Sequence, residues 1–335
     1  MAPPPKPSLE NREYTVGWIT ALPTELAAAK AMLDEVHKQR QWQHPSDKNI
    51  YTLGRINTED GSHHNVVVAC LPEYGTTSAA TVASQMISSF DSIRIGLMVG
   101  IGGGAPSTKA DIRLGDIVVS KPEQSFGGVV QYDSGKTGPG GKIVRTGSLN
   151  KPPQVLLNAV STLRANHDIQ ESKVPYFLSK ILQDYPTMKR TGYIYQGTEN
   201  DLLYKAEYTH MGGEDSCDSC DVKEIIHREP RDCIDPVIHY GVIASGNQVI
   251  KDAMTRDQYR RDLGVLCFEM EAAGLMNNFP CLVVRGICDY SDSHKNKRWQ
   301  KYAAAAAAAY AKELLEIIPP AQVDETHPAV EALKS

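Results

Sequence analysis

Four carboxylates and one guanidinium stand where hydrophobic runs break off: Glu25, Glu269, Glu271 and Asp289, with Arg285 close by. Glu25 follows the run Tyr14-Thr-Val-Gly-Trp-Ile-Thr20, Glu269 and Glu271 close Val265-Leu-Cys-Phe, and Asp289 closes Cys281-Leu-Val-Val-Arg-Gly-Ile-Cys288. Such a set suits the splitting of a glycosidic bond. That chemistry needs one group to protonate the leaving group, another to orient water, and a carboxylate to hold sugar hydroxyls. The structural alternative for Asp289, which precedes Tyr-Ser, is a helix cap.

Two further motifs carry potential chemistry. Gly100-x-Gly102-x-x-Ala105 has the spacing of a dinucleotide-binding loop, but such a loop opens a long helix and here Pro106 intervenes. A flexible loop that brings backbone N–H groups, including those of Gly102 and Gly103, to a hydroxyl, water or anion is expected instead; a plain tight turn is the alternative. His210-x6-Cys217-x2-Cys220, with Cys233 behind it, supplies four ligands for a structural zinc, although the spacing is not that of a standard finger. The alternative is loop thiols without a role. Cys70, Cys267, Cys281 and Cys288 lie in or beside apolar runs and read as core residues. No Gly-x-Ser-x-Gly is present, and His239 sits within a strand pattern.

The elements that must position these groups alternate. Strands are predicted over 14–20, 64–71, 93–99, 111–120, 237–244, 265–271 and 281–288. Helices are predicted from Pro23, where Leu26, Ala29, Met32, Leu33 and Val36 recur at helical spacing, and over 76–90, 155–167, 251–263, 272–277 and 299–318. Alternation of this kind implies an α/β fold with helices on both faces of a sheet. Ligands then sit beyond the carboxyl ends of strands, where Glu25, the glycine stretch, Ser245–Asn247, Glu269–Glu271 and Asp289 all fall. One body is expected over 14–318, with an irregular insertion at about 123–236. Residues 1–13 and 319–335 read as a disordered lead and tail.

Composition narrows the function. The chain has 335 residues, with 35 Lys and Arg against 40 Asp and Glu, a net charge of −5 that argues against a nucleic-acid partner. Hydrophobic residues are 41% and charged residues 22%, ordinary globular usage, and no run has the length of a membrane span. The proline-rich start shows no signal-peptide pattern, and seven cysteines give no disulfide framework, so a cytoplasmic location is expected.

Four separated segments resemble the nucleoside phosphorylase and nucleosidase superfamily, and within it the methylthioadenosine/S-adenosylhomocysteine nucleosidases. They are VGWITALPTELAAA, MVGIGGGAPSTKADIRLGDIVVS, YGVIASGNQVI and FEMEAAGLMNNFPCLVVRGICDYSD. The resemblance covers about 14–122 and 237–315, and leaves 123–236 unmatched. Its fungal members often stand at the amino terminus of larger signalling proteins.

The resemblance implies a three-layer α/β/α fold with a central mixed, twisted sheet, and a purine nucleoside N-ribohydrolase acting on adenosine-like nucleosides. Asp289 would give a proton or hydrogen bond to N7 of the purine. Glu271 would bind ribose hydroxyls, with Met270 on the sugar face. Glu25 would hold and deprotonate water, helped by Arg285 and the glycine backbone. The Ser245–Val249 turn would line the base pocket, with Asn247 where relatives carry Asp and Val249 where they carry a stacking aromatic; Tyr74, Tyr193 or Tyr195 would replace that aromatic. Ile101 stands where relatives usually have serine. No cofactor is implied for catalysis, a homodimer or larger assembly is, and no membrane or nucleic-acid partner is expected. Absence of a basic residue from Ile95 to Gly104, and Glu25 in the first helix, favour water over phosphate as nucleophile. A phosphorylase and a non-catalytic nucleoside sensor are the rivals.

Overall fold

A computed structural model describes residues 9–38, 42–138, 143–145, 147–212 and 216–332. In chain order its strands are β1 (Val16–Thr20), β2 (Glu35–Val36), β3 (Tyr51–Asn57), β4 (His63–Cys70), β5 (Ile95–Gly104), β6 (Ile117–Ser120), β7 (Val129–Gln131), β8 (Lys136–Thr137), β9 (Ile143–Val144), β10 (Ile238–Ser245), β11 (Val265–Glu269) and β12 (Cys281–Asp289). The helices are α1 (Pro23–Met32), α2 (Thr76–Ser89), α3 (Gln154–His167), α4 (Val174–Asp184), α5 (Pro186–Thr191), α6 (Ala253–Leu263), α7 (Gln300–Glu316), α8 (Pro320–Asp324) and α9 (Ala329–Ala332).

Among the described residues the main sheet has ten strands in the order β11-β10-β6-β12-β5-β1-β4-β3-β2, with β7 added to β10. It is mixed: β1 lies parallel to β4 and β5, and β5 parallel to β12, whereas β6 runs antiparallel to β12. β11 pairs with β10 and also, antiparallel, with the far end of β5, so β5, β12, β6, β10 and β11 close into a ring. Such closure brings the ends of β5, β11 and β12 to one place.

Strand alternation builds the layers. Val16 and Trp18 of β1, Leu97 and Val99 of β5, and Leu282 and Val284 of β12 face one way, into a core with α1, α3, α4 and α7. Ile19, Met98 and Val283 face the other way, against α2 and the 272–279 segment. The alanine run 303–309 lets α7 lie on the sheet at close range: a Cβ on Gly286 would overlap the Ala303 backbone. The fold is therefore the three-layer α/β/α arrangement anticipated from the sequence.

Several elements differ from expectation. The 123–236 stretch is not a mere appendage: β7 joins the main sheet, and Leu156, Val160, Phe177 and Ile181 of α3 and α4 are buried in the α7 core. The 272–277 helix is only a 3-10 turn at Ala272–Gly274. The tail forms α8 and α9, where Val323 and Ala329 are fully buried and the Ala329 N–H donates to the Ile93 carbonyl at 2.7 Å. Two small apolar anchors suffice to dock it, and its polar composition hides them. In the lead, Asn11 is buried and donates to the Ser89 carbonyl at 2.6 Å, while residues 1–8 lie outside the described residues.

Candidate active site

The glycine stretch, expected as a loop, is the second half of β5. None of Gly100, Gly102, Gly103 or Gly104 has positive φ, so turn formation is not why glycine stands there. Close approach is. A Cβ on Gly100 would lie 2.5 Å from both Arg285 Nη1 and Glu25 Oε1, and one on Gly103 would lie 2.6 Å from Asp289 Oδ1. Glycine weakens a strand by propensity, and here it makes room for three functional side chains.

Glu25 is set by the start of α1. Pro23 occupies the first turn, and the Glu25 carboxylate turns back to accept from the N–H groups of Ala21 (2.7 Å) and Leu22 (3.0 Å). Its other oxygen accepts from the Ile101 N–H at 2.8 Å, tying helix to strand. Burial raises its pKa above the ordinary carboxylate value, against the pull of Arg285 and those three donors.

Asp289 is set by β12. The ladder with β5 shifts register between Ile287 and Asp289, an irregularity that re-aims the strand end. Asp289 Oδ1 accepts from the Ser291 N–H at 2.9 Å, and Ser291 holds φ at +52°, a left-handed conformation unusual for a non-glycine residue. Asp289 Oδ2 lies 2.9 Å from Lys295 Nζ.

Glu269 and Glu271 flank Met270 at the end of β11, yet they are used differently. Glu269 accepts from the Glu271 and Ala272 N–H groups and from Arg285 Nη2. Glu271 accepts from Arg285 Nη2 at 3.2 Å and from the Gly75 N–H, at the start of α2, at 3.3 Å. Glu269 and Glu271 thus share one guanidinium, whose charge also acts on Glu25. Burial, then the neighbouring acids, push Glu271 up to about 7 despite Arg285.

These groups line one cleft of about 230 Å³, with Glu25, Gly102, Gly103, Val249, Glu269, Met270, Glu271 and Asp289 in its wall. Arg285, expected at the water, does not line it: the side chain is 1% exposed and its Nη1 donates to the Ile101 carbonyl, so it is a positioning residue beneath the acids. Ser245 and Asn247 are also displaced from the expected base pocket. Ser245 Oγ accepts from the Ala273 N–H, and Asn247 Oδ1 accepts from the Thr76 N–H, capping α2. Their neighbours Gln248, Val249 and Ile250 face the cleft instead.

Of the three tyrosines weighed as stacking partners, Tyr74 lines the cleft; Tyr193 donates to the Thr24 carbonyl and Tyr195 packs on Trp299 and Tyr302. Sequence reasoning missed Phe268, which read as a core strand residue, and Lys295, hidden in a polar loop. Cys233 does not join the other predicted metal ligands. The Arg231–Asp116 ion pair, at 2.7 Å, holds its segment beside Arg113 and Pro236.

Fold and cleft together define a class: an α/β protein that gathers acids at strand ends around a small-molecule pocket. A sequence model of the phosphorylase superfamily matches residues 15–318, and the chain belongs to that superfamily. It is 48% identical over 316 residues to a nucleotide-binding leucine-rich repeat (NLR)-like protein of Hyaloscypha variabilis, covering 94% of this chain and 30% of the relative. It is 22% identical over 308 residues to the ATP nucleosidase Cap17 of Escherichia coli, covering 89% of this chain and 50% of the relative. The chain therefore spans half or less of these relatives' length. Among solved structures, futalosine hydrolase of Helicobacter pylori superposes with a TM-score of 0.56 at 16% identity, covering 91% of this chain and 98% of that one. The 5′-methylthioadenosine/S-adenosylhomocysteine nucleosidase of S. pneumoniae gives 0.56 at 17% identity, covering 91% and 100%. These likenesses establish the fold. No helix among the described residues is long and apolar enough to cross a membrane.

Proposed function

We propose that this chain is a purine nucleoside N-ribohydrolase that releases free base and a ribose sugar, with adenosine-like nucleosides or their 5′-substituted forms as substrates. The observation that carries the reading is the meeting of Glu25, Glu271 and Asp289, from three separate strand ends, in the wall of one cleft. Asp289 gives a proton to N7 and the C1′–N9 bond breaks, its electron pair leaving with the base. Glu271 holds the ribose hydroxyls while positive charge develops on the sugar, with Met270 on the sugar face. Glu25 takes a proton from water as its oxygen bonds to C1′. One proton is given and one taken, and solvent restores both acids. A pKa raised by burial makes Glu25 a better base near neutrality than an exposed carboxylate. The proposed steps need no cofactor.

Water is favoured over phosphate by charge. Lys295 is the one cationic residue in the cleft wall among the described residues, and it is engaged with Asp289; Arg285 is spent on Glu269 and Glu271. A phosphate dianion beside Ile101 would face Glu25 with no arginine to hold it. The likeness to an ATP nucleosidase adds a 5′-triphosphate to the substrates worth offering. We expect the protein to act in the cytoplasm, as a homodimer or larger assembly.

The test is chromatography of adenosine, inosine, guanosine, methylthioadenosine and ATP after incubation with the protein. Free base from at least one of them is the expected result. Binding of nucleosides with no base from any would make the chain a sensor and overturn the reading.

A further inference from the structure

Apart from the cleft, the described residues bring together one group with the chemistry of a metal site: His210, Cys217 and Cys220, whose ligand atoms all lie within 4.8 Å of one another. A tight turn, in which the Cys220 N–H donates to the Cys217 carbonyl at 3.0 Å, puts both thiols on the same side. His210 Nε2 lies 2.9 Å from the Ser216 carbonyl. With its proton on that bond, Nδ1 keeps a lone pair, the arrangement in which metal-bound histidines are oriented by a carbonyl. Tetrahedral zinc with Zn–S near 2.3 Å would need ligand atoms about 3.7 Å apart, so a contraction of roughly 1 Å would close the set.

His294 is a second, independent pointer. It is 6% exposed, and neither ring nitrogen has a hydrogen-bond partner. Asp292 Oδ1 is 3.9 Å from its Nδ1. Its ring stacks on Tyr204 at 3.9 Å and lies 5.4 Å from that of His210. Two idle nitrogens in a buried imidazole beside two thiols and another imidazole are costly unless a cation uses them.

We propose that His210, Cys217 and Cys220 bind one zinc ion, with His294 beside them to supply the fourth donor, and that the ion clasps this segment onto the loop following Asp289. Two thiolates and imidazole are a zinc set; magnesium and calcium would require oxygen donors. Binding breaks two S–H bonds, forms two Zn–S bonds and releases two protons to solvent. Contacts to the Asp289 loop are already in place: the His210 N–H donates to Ser293 Oγ at 2.9 Å, and Cys217 Sγ lies 4.0 Å from the His294 carbonyl. The ion would be structural, since no ligand lines the nucleoside cleft.

The test uses the full chain, purified without chelators, and reads the metal itself, independently of any nucleosidase activity. Elemental analysis should find about one zinc per chain. Cobalt(II), added to chelator-stripped protein, should give a thiolate charge-transfer band and intense visible bands of tetrahedral symmetry. Cys217→Ser and Cys220→Ser should each weaken binding about tenfold or more, whereas Cys233→Ser should not. Should the serine variants fail to fold, the cobalt spectrum of the unaltered chain decides alone. Zinc below a tenth of an equivalent together with no cobalt charge transfer would overturn the proposal.

Discussion

Two segments converge on Asp289, and they are held by different means. On one side, Glu25 and Glu271 are fixed by backbone N–H groups of regular elements: just ahead of α1, within β5 and at the start of α2. On the other, the described residues of 201–228 carry little regular structure. They dock through side chains: Tyr204 and Tyr208 stack on His294, and the Arg228 guanidinium lies 5.3 Å from the centre of the Tyr290 ring. Backbone-held acids need only the fold to be correct. Side-chain docking needs particular residues. The difference teaches where to expect graded effects and where all-or-none ones.

The largest effect should come from the point of contact. Asp289→Asn, nearly isosteric, should lower base release by about 10³-fold or more, with thermal unfolding little changed. Full activity in that variant would remove Asp289 as proton donor. Glu25→Gln should cost roughly 10²–10³-fold in kcat with KM nearly unchanged, because it acts on water and not on substrate. Gly103→Ala probes the backbone-held side without removing any functional group. Its Cβ would press on Asp289 and Ser291, so activity should fall about tenfold or more and stability by about 1–3 kcal/mol. Wild-type kinetics in Gly103→Ala would mean that the Asp289 position is looser than described.

A smaller effect sharpens the electrostatic half of the comparison. Glu271 sits above its ordinary value of 4.5, at about 7, so the folded site binds a proton more tightly than the unfolded chain does. The stability associated with that proton is complete below pH 4.5 and is lost as pH rises through about 7. Glu271→Gln, neutral throughout, should therefore be more stable to unfolding than wild type at pH 8, by on the order of 1–3 kcal/mol. The gain should shrink toward pH 5, and turnover should fall at both. Equal stabilities at pH 8 would mean Arg285 compensates Glu271 fully. The smallest effect is expected from Cys233→Ser, which lies outside both networks and should change neither activity nor unfolding.

The acids are legible in the sequence because each lies at or just past the end of a hydrophobic strand, and strand ends in α/β sheets are where ligands sit. For Glu25, Pro23 and the helical spacing after it add that it opens a helix. The glycine stretch misled, because propensity describes a residue's own backbone, while Gly100 and Gly103 answer to Arg285, Glu25 and Asp289 on other elements. Arg285 is expected at the water but sits beneath the cleft for a related reason: strand alternation gives a face, but not the depth at which Glu269 and Glu271 hold a guanidinium. Asn247 and Ser245 fell in the right turn, on its wrong side. Lys295 carried no periodic signal and became visible only through its contact with Asp289. In the side-chain-docked segment, Cys217, Cys220 and His210 do come together, as their spacing suggests. Cys233 was not separable from them, because loop residues give no measure of distance.

The proposed reaction is the cutting of a sugar–purine bond by these acids with solvent. It is tested most directly on whichever nucleoside releases base, by comparing initial rates in phosphate-free buffer and in buffer with added phosphate, and by identifying the sugar formed. Equal rates and a sugar with a free anomeric hydroxyl are expected in both. A rate that requires phosphate and yields ribose 1-phosphate would contradict it.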